Sequence, residues 1–237
     1  VIIIEEEKLQ QDVGQVNIDQ QYRLSFEKVM ALLRIYKKGN VQADSFQVII
    51  DDIPLEPRGF PYMISWGPAL FSFYILKAPD EAPLKELFNY FIDLDIENTS
   101  LHWFTYAPFR PLIRDRLVDY VIALESIFIE YTLNGGKRGL PKKEALKSRG
   151  VNIFGSLDYG SDNRPNITDW NSFVDDFYDY RSRIVHGAKK DDQPPLEDVL
   201  KIVANLETVC RGFLKKFLKD GTLYDWNLRK NTYDWLK

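Results

Sequence analysis

Hydrophobic residues recur at helical spacing through most of the second half of the chain. Between residues 111 and 131 they lie on one broad stripe that begins after a proline and ends before a Gly-Gly pair, as helices commonly do. A second stripe follows Asp169, which suits an N-cap, and breaks at Gly187. A third covers residues 196–218 at close to heptad spacing. Together they predict three long helices that pack as an up-and-down bundle.

The pattern of the first half is mixed. Helical stripes cover residues 19–36 and 84–94. Between them, residues 46–50 and 70–76 are β-branched or aromatic runs bounded by Pro, Gly and Asp, which is typical of strands. The predicted fold class is therefore α+β overall but mostly α. Three regions are predicted: a mixed helix and strand region over 1–108, a helical domain over 109–219, and an aromatic tail over 220–237 that packs on the body.

Composition narrows the classes of function. The 237-residue chain has a formal net charge of −4, which argues against a uniformly basic nucleic-acid binder but allows a local basic patch. Cys210 is its only cysteine, so an intrachain disulfide is excluded and a reducing cytoplasm is favoured. No apolar run approaches the length of a membrane span. The sequence has only two histidines and no His/Cys/Asp ligand cluster, which agrees with the expectation of no metal; no cofactor is expected.

The end of the second predicted helix combines groups that suit phosphate. His186 lies in its last turn, close to the unpaired carbonyls of the helix end. Ser182 and Arg183 share the face of His186, and the long side chain of Arg181 can extend into the same space. A simpler interpretation uses the same residues: His186 only caps the helix, and Arg183 pairs with Asp179 four residues earlier.

Two segments resemble a known domain family. Residues 178–187, in which Arg181 and His186 are separated by four residues, resemble the R-x4–6-H motif of HEPN domains (higher eukaryotes and prokaryotes nucleotide-binding). Residues 116–128 are similar to the Apea-like branch, in which an "LVD-VIALES-F" pattern precedes a "Y-RS-IVHG" pattern. The two patterns occur here in that order on two predicted helices, and the resemblance covers roughly residues 100–218. It implies a HEPN-type helical bundle.

The resemblance also implies a chemistry. Many HEPN members are dimeric, metal-independent endoribonucleases, so His186 is expected to act as general base or acid toward a ribose 2′-OH. Arg181 then neutralises charge on the phosphoryl oxygens, and Ser182 binds the phosphate or orients His186. Tyr178 and Arg183 are expected to support the site. The expected partners are RNA or a nucleotide and a second copy of the chain, and the products are a 2′,3′-cyclic phosphate and a 5′-hydroxyl.

Two other functions stay compatible with these residues. Active members commonly carry Asn, Asp or His where this chain has Ser182, so the alternative is a non-catalytic HEPN module. In that module Arg181 and His186 bind a nucleotide or phosphate, or form a dimer interface. A third class is an interaction protein in which the motif does no more than cap a helix.

One glutamate could support the motif. Glu125 interrupts the apolar stripe of the first long helix. It either faces the motif helix and pairs with Arg181, which would fix the guanidinium, or is an ordinary solvated helix residue.

A basic segment is the candidate for binding nucleic acid. It lies in a polar, Gly-rich stretch, residues 134–166, with a short helix expected at 141–149. The alternative is a solvated flexible loop. Its six cations fall within thirteen residues: Lys137, Arg138, Lys142, Lys143, Lys147 and Arg149.

Overall fold

Helices make up nearly all the regular structure that the computed structural model describes. Helix α1 is described over residues 28–36. The other helices are α2 (Glu81–Phe91), α3 (Thr99–Tyr106), α4 (Ile113–Phe128), α5 (Lys142–Phe154), α6 (Trp170–Val185) and α7 (Leu196–Lys219), with short 3₁₀ turns at Ala78–Asp80 and Ala107–Phe109. The described residues are 28–38, 45–46, 49–50, 53–54, 58–59, 78–91, 99–128, 141–159, 164–187 and 192–220.

The three long helices predicted from the hydrophobic stripes are confirmed as α4, α6 and α7. Helix α6 begins where expected, because the side chain of Asp169 accepts a hydrogen bond of 2.7 Å from the backbone N–H of Ser172. The helix expected over residues 141–149 is present as α5 and continues to Phe154. The aromatic tail lies outside the described residues.

The predicted α+β class is wrong. Within the described residues, extended structure is limited to two antiparallel pairings of two-residue strands, Ser45–Phe46 with Arg58–Gly59 and Ile49–Ile50 with Ile53–Pro54. Such short pairings cannot form a layer of the fold. The other expected strand, residues 70–76, lies outside the described residues. Helix α3 was not predicted. It is rich in Thr and aromatic residues, which prefer strands, but burial of Leu101 and Phe104 in the helix outweighs that preference.

Helix α4 is the centre of the bundle, in contact with α3, α5, α6 and α7. Its residues Leu117, Val121 and Leu124 are completely buried. Aromatic rings fill the space around its C-terminal end: Phe128 meets Phe213 edge-on at 4.7 Å between ring centroids. Burial of these rings and of the aliphatic residues around them is the main stabilising term of such a core.

Helix α1 contributes to the same core as the helices of the second half. Its residues Ala31, Leu32 and Ile35 belong to the hydrophobic cluster that contains α4 and α7. The buried guanidinium of Arg34 donates to the carbonyl of Thr105, and Arg211 Nε donates to the carbonyl of Arg34 at 2.7 Å. Burial lowers the pKa of Arg34 to about 10, so it stays charged at neutral pH. Residues on both sides of position 108 thus share one core, and the boundary at that position stays a prediction.

None of the described helices is sufficiently long and apolar to cross a membrane.

The packing of α5 on α6 depends on a residue without a side chain. A Cβ atom on Gly150 would lie 2.4 Å from the ring of Trp170, and the indole N–H of Trp170 donates to the carbonyl of Leu146 at 3.0 Å. The ring is buried and in contact with Phe213 of α7, so it has little room to move away. Gly150 therefore sets how closely the two helices approach.

We expect Gly150→Ala to lower the free energy of unfolding by about 1–3 kcal/mol, because the added methyl group overpacks the contact with Trp170. Urea denaturation measures the change. The matched control is Gly155→Ala, since a Cβ atom there has no heavy atom within 4 Å and the backbone has a right-handed φ of −67°. Equal stability of the two variants would contradict this account of the α5–α6 contact.

Candidate functional site

The motif segment ends helix α6 as predicted. His186 is the C-cap residue, and its backbone N–H donates to the carbonyl of Ser182 at 3.0 Å. Gly187 follows with a φ of +65°, a left-handed conformation that glycine adopts without steric cost and that commonly ends helices. His186 therefore lies exposed at the C-terminal end of α6.

Arg181 contacts a buried carboxylate, that of Glu125, inside the bundle. Glu125 of α4 is only 1% exposed. Its Oε1 accepts a hydrogen bond of 2.9 Å from the hydroxyl of Tyr178 and lies 3.9 Å from Nη2 of Arg181. Tyr178 and Arg181 are three residues apart on α6, so one face of that helix supplies both groups. Of the two alternatives for Glu125, the buried contact with the motif helix is the one observed.

A third helix contributes to the same carboxylate. Lys142, the first residue of α5, places its Nζ atom 3.0 Å from Oε2 of Glu125. A buried charge is costly unless other charges and hydrogen bonds compensate it. Here a phenol, an ammonium and a guanidinium surround one carboxylate. We call this group, formed by Glu125, Lys142, Tyr178 and Arg181, the Glu125 cluster.

Arg181 is held on one side and open on the other. The 3.9 Å contact is at the outer limit of an ion pair and too long for a hydrogen bond. The Nε atom of Arg181 is buried and has no hydrogen-bond partner among the described residues, while the side chain as a whole is 28% exposed. The exposed part of the side chain can therefore meet an anion from solvent, whereas the buried Nε atom cannot.

The other motif residues lie on the outside of α6. Ser182 and His186 are exposed. Arg183 pairs with Asp179 at 2.8 Å, one turn earlier on the same helix, which is the simpler of the two roles that the sequence allowed. Within one copy of the chain, the structure therefore gathers Arg181 and Tyr178 into the Glu125 cluster and leaves Ser182 and His186 exposed at the end of the helix.

The basic segment is divided by the structure. Lys143 and Lys147 both pair with Asp175 of α6, at 2.5 Å and 2.7 Å, and these two ammonium groups lower the pKa of that carboxyl. Arg149 donates to the carbonyl of Phe128 at 2.5 Å. Lys142 contacts Glu125. Lys137 and Arg138 lie outside the described residues.

A second buried carboxylate on α4 has a separate partner. Asp119 is 4% exposed, and Arg110 Nε donates to its Oδ2 at 2.6 Å. Burial raises the pKa of Asp119, against the opposing effect of Arg110. Arg116 donates to the carbonyl of Arg110 at 2.9 Å. The sequence pattern does not identify the pair of Arg110 and Asp119, since no periodicity relates a residue before the helix to one inside it.

Among the described residues, no three His, Cys, Asp or Glu side chains are grouped so that they could hold a metal ion.

We expect Glu125→Gln to lower the free energy of unfolding by about 1–3 kcal/mol, because the amide leaves Lys142 and Arg181 without their shared counter-charge. The control is Glu144→Gln on the exposed side of α5, where we expect a change within about 0.5 kcal/mol. Urea denaturation of both variants gives the comparison. If Glu125→Gln costs no more than the control, the carboxylate does not hold the cluster together.

No protein-family model matches the chain, and no curated protein or solved structure is significantly similar to it.

Proposed function

We propose that this protein is a HEPN-type endoribonuclease that cleaves RNA without a metal ion at a site formed by Arg181, Ser182 and His186 from two copies of the chain. The observation that supports the proposal is the Glu125 cluster. It holds a partly exposed guanidinium at Arg181, five residues before an exposed histidine. The resemblance of residues 116–128 and 178–187 to the Apea-like branch supplies the reaction.

The proposed reaction is an internal transesterification. His186 of one copy accepts the proton of the ribose 2′-OH while the 2′-oxygen forms a bond to the adjacent phosphorus. The bond between phosphorus and the 5′-oxygen breaks, and that oxygen takes a proton from the His186 of a second copy. The products are a 2′,3′-cyclic phosphate and a 5′-hydroxyl end. Since one imidazole cannot accept and donate in the same step, the reaction favours a homodimer.

Arg181 and Ser182 have charge-binding roles in this scheme. Negative charge increases on the non-bridging phosphoryl oxygens as the 2′-oxygen attacks, and a preorganised guanidinium stabilises that charge without reorganisation. Glu125 limits the conformations of Arg181 through the contact of 3.9 Å between Oε1 and Nη2. Tyr178 holds that same Oε1 through a hydrogen bond of 2.9 Å. The exposed hydroxyl of Ser182 hydrogen-bonds the phosphate.

The second candidate function is phosphate or nucleotide binding without cleavage. The observation that favours it is that Glu125 holds the side chains of Lys142 and Arg181 next to each other. Cations bind phosphate whether or not a proton is transferred. The two candidates differ in one respect: only the first requires His186 to transfer a proton.

Incubating the purified protein with mixed RNA in EDTA tests the proposal. We expect RNA fragments with 2′,3′-cyclic phosphate ends, detected by their resistance to ligation at the 3′ end until the cyclic phosphate is opened and the resulting monophosphate is removed. His186→Ala should reduce the rate by about 100-fold or more, and Arg181→Ala by a similar factor.

The matched control for this experiment is Arg183→Ala. Arg183 lies on the same helix turn but pairs at the surface with Asp179, so we expect its loss to change the rate by no more than about threefold. Absence of cleavage at any protein concentration, or cleavage that His186→Ala leaves unchanged, would contradict the proposed activity. RNA binding without cleavage would favour the second candidate.

A further inference from the structure

The arginine that precedes α4 is held by the side of its guanidinium rather than by the end. Arg110 donates through Nε to buried Asp119 at 2.6 Å, and its side chain is 45% exposed. A guanidinium has five N–H donors in a rigid fork, and a carboxylate bound on the Nε side can occupy at most two of them. Arg181 and Arg183 instead direct a terminal Nη atom at their carboxylates. The paired terminal donors of Arg110 therefore suit a phosphate.

Aromatic rings lie beside this guanidinium. The ring centroid of Trp103 is 5.9 Å from Cζ of Arg110, and the ring of His102 meets that of Trp103 edge-on at 5.6 Å between centroids. His102 is exposed on α3, and its other ring neighbour is Tyr106, at 4.7 Å. Exposed rings beside a cation are the groups on which proteins stack the bases of nucleic acids.

Net charge does not make this site attractive to anions. Arg116 donates through Nε to the carbonyl of Arg110, which brings a second guanidinium to the site. The hydrogen bond to Asp119 and the charge of Asp115 both raise the pKa of Arg110, so two carboxylates balance the two guanidinium groups. An anion therefore gains from the geometry of the terminal donors, and a ligand that also carries an aromatic base gains from the rings.

We propose that Arg110 and His102 form a nucleotide-binding site, in which the terminal donors of Arg110 bind the phosphate and the base stacks on the exposed ring of His102 beside Trp103. The nucleotide is either free or one unit of a single RNA strand. Asp119 and Glu125 lie six positions apart on α4, about 9 Å along the helix axis and on sides about 120° apart. The site is thus separate from the Glu125 cluster and is expected to bind whether or not the protein cleaves RNA.

Fluorescence anisotropy of ribose-labelled adenosine 5′-monophosphate tests the site, with displacement by unlabelled adenosine 5′-monophosphate, adenosine and inorganic phosphate. The first variant, Arg110→Lys, keeps a charge opposite Asp119 but has no paired donors. The second, His102→Ala, changes an exposed position, so it stays informative if Arg110→Lys does not fold. The matched controls are Arg164→Lys, at an exposed arginine, and Tyr90→Ala, at a ring that is 43% exposed. Thermal unfolding establishes that each variant is folded.

We expect the two variants to affect different parts of the ligand. Arg110→Lys should weaken binding of the monophosphate and of phosphate by about tenfold and leave adenosine unchanged. His102→Ala should weaken binding of the monophosphate and of adenosine by about fivefold or more and leave phosphate unchanged. The two controls should stay within about twofold. In Arg181→Gln protein, the dependence on Arg110 and His102 should persist.

A labelled 2′-O-methyl RNA strand, which has no 2′-OH and cannot be cleaved, distinguishes the two sources of the nucleotide. Strand binding that is tighter than monophosphate binding and depends on Arg110 and His102 identifies RNA as the ligand, and weaker strand binding identifies a free nucleotide. An affinity that neither variant changes, or a loss in Arg110→Lys with none in His102→Ala, would overturn the inference. Binding that requires Arg181 but neither Arg110 nor His102 overturns it as well and leaves the proposed function standing.

Discussion

The buried carboxylate of Glu125 is the constraint on which the arrangement of this site depends. A carboxylate that is 1% exposed is costly to bury unless positive charge and hydrogen-bond donors surround it. Helix α4 brings the carboxylate into the bundle, α6 supplies Tyr178 and Arg181, and α5 supplies Lys142. A shift of α5 or α6 by one turn would remove a donor, so the charge fixes the positions of both helices relative to α4.

The apolar core makes this arrangement possible. Ring contacts of Trp170 with Phe154 and Phe213 pack the start of α6 against α5 and α7, and Gly150 allows the close approach of α5. Hydrophobic burial is large but not directional, so it brings the helices together without selecting which polar groups meet. The Glu125 cluster supplies that selection, and it presents Lys142 and Arg181 to solvent with their shared counter-charge beneath them.

Periodicity and end signals in the sequence were sufficient to predict α4, α6 and α7, because apolar stripes and caps are local properties. Glu125 could be singled out as one polar residue in an apolar stripe, with Arg181 as one possible partner and an ordinary solvated position as the alternative. The contact with Lys142 could not be predicted, since Lys142 lies seventeen positions after Glu125, beyond a Gly-rich segment. Helix α3 was not predicted, because local preference is weak against burial in a shared core. The α+β class was wrong because the strands within the described residues are only two residues long.

A double-mutant cycle between Glu125 and Arg181 tests the central claim most directly. The free energies of unfolding of Glu125→Gln, Arg181→Gln and the double variant give the coupling between the two side chains. We predict a coupling of about 1 kcal/mol, and a coupling below about 0.5 kcal/mol when Arg183→Gln replaces Arg181→Gln as the control. A Glu125–Arg181 coupling no larger than the control value would contradict the claim that Glu125 holds the guanidinium in place.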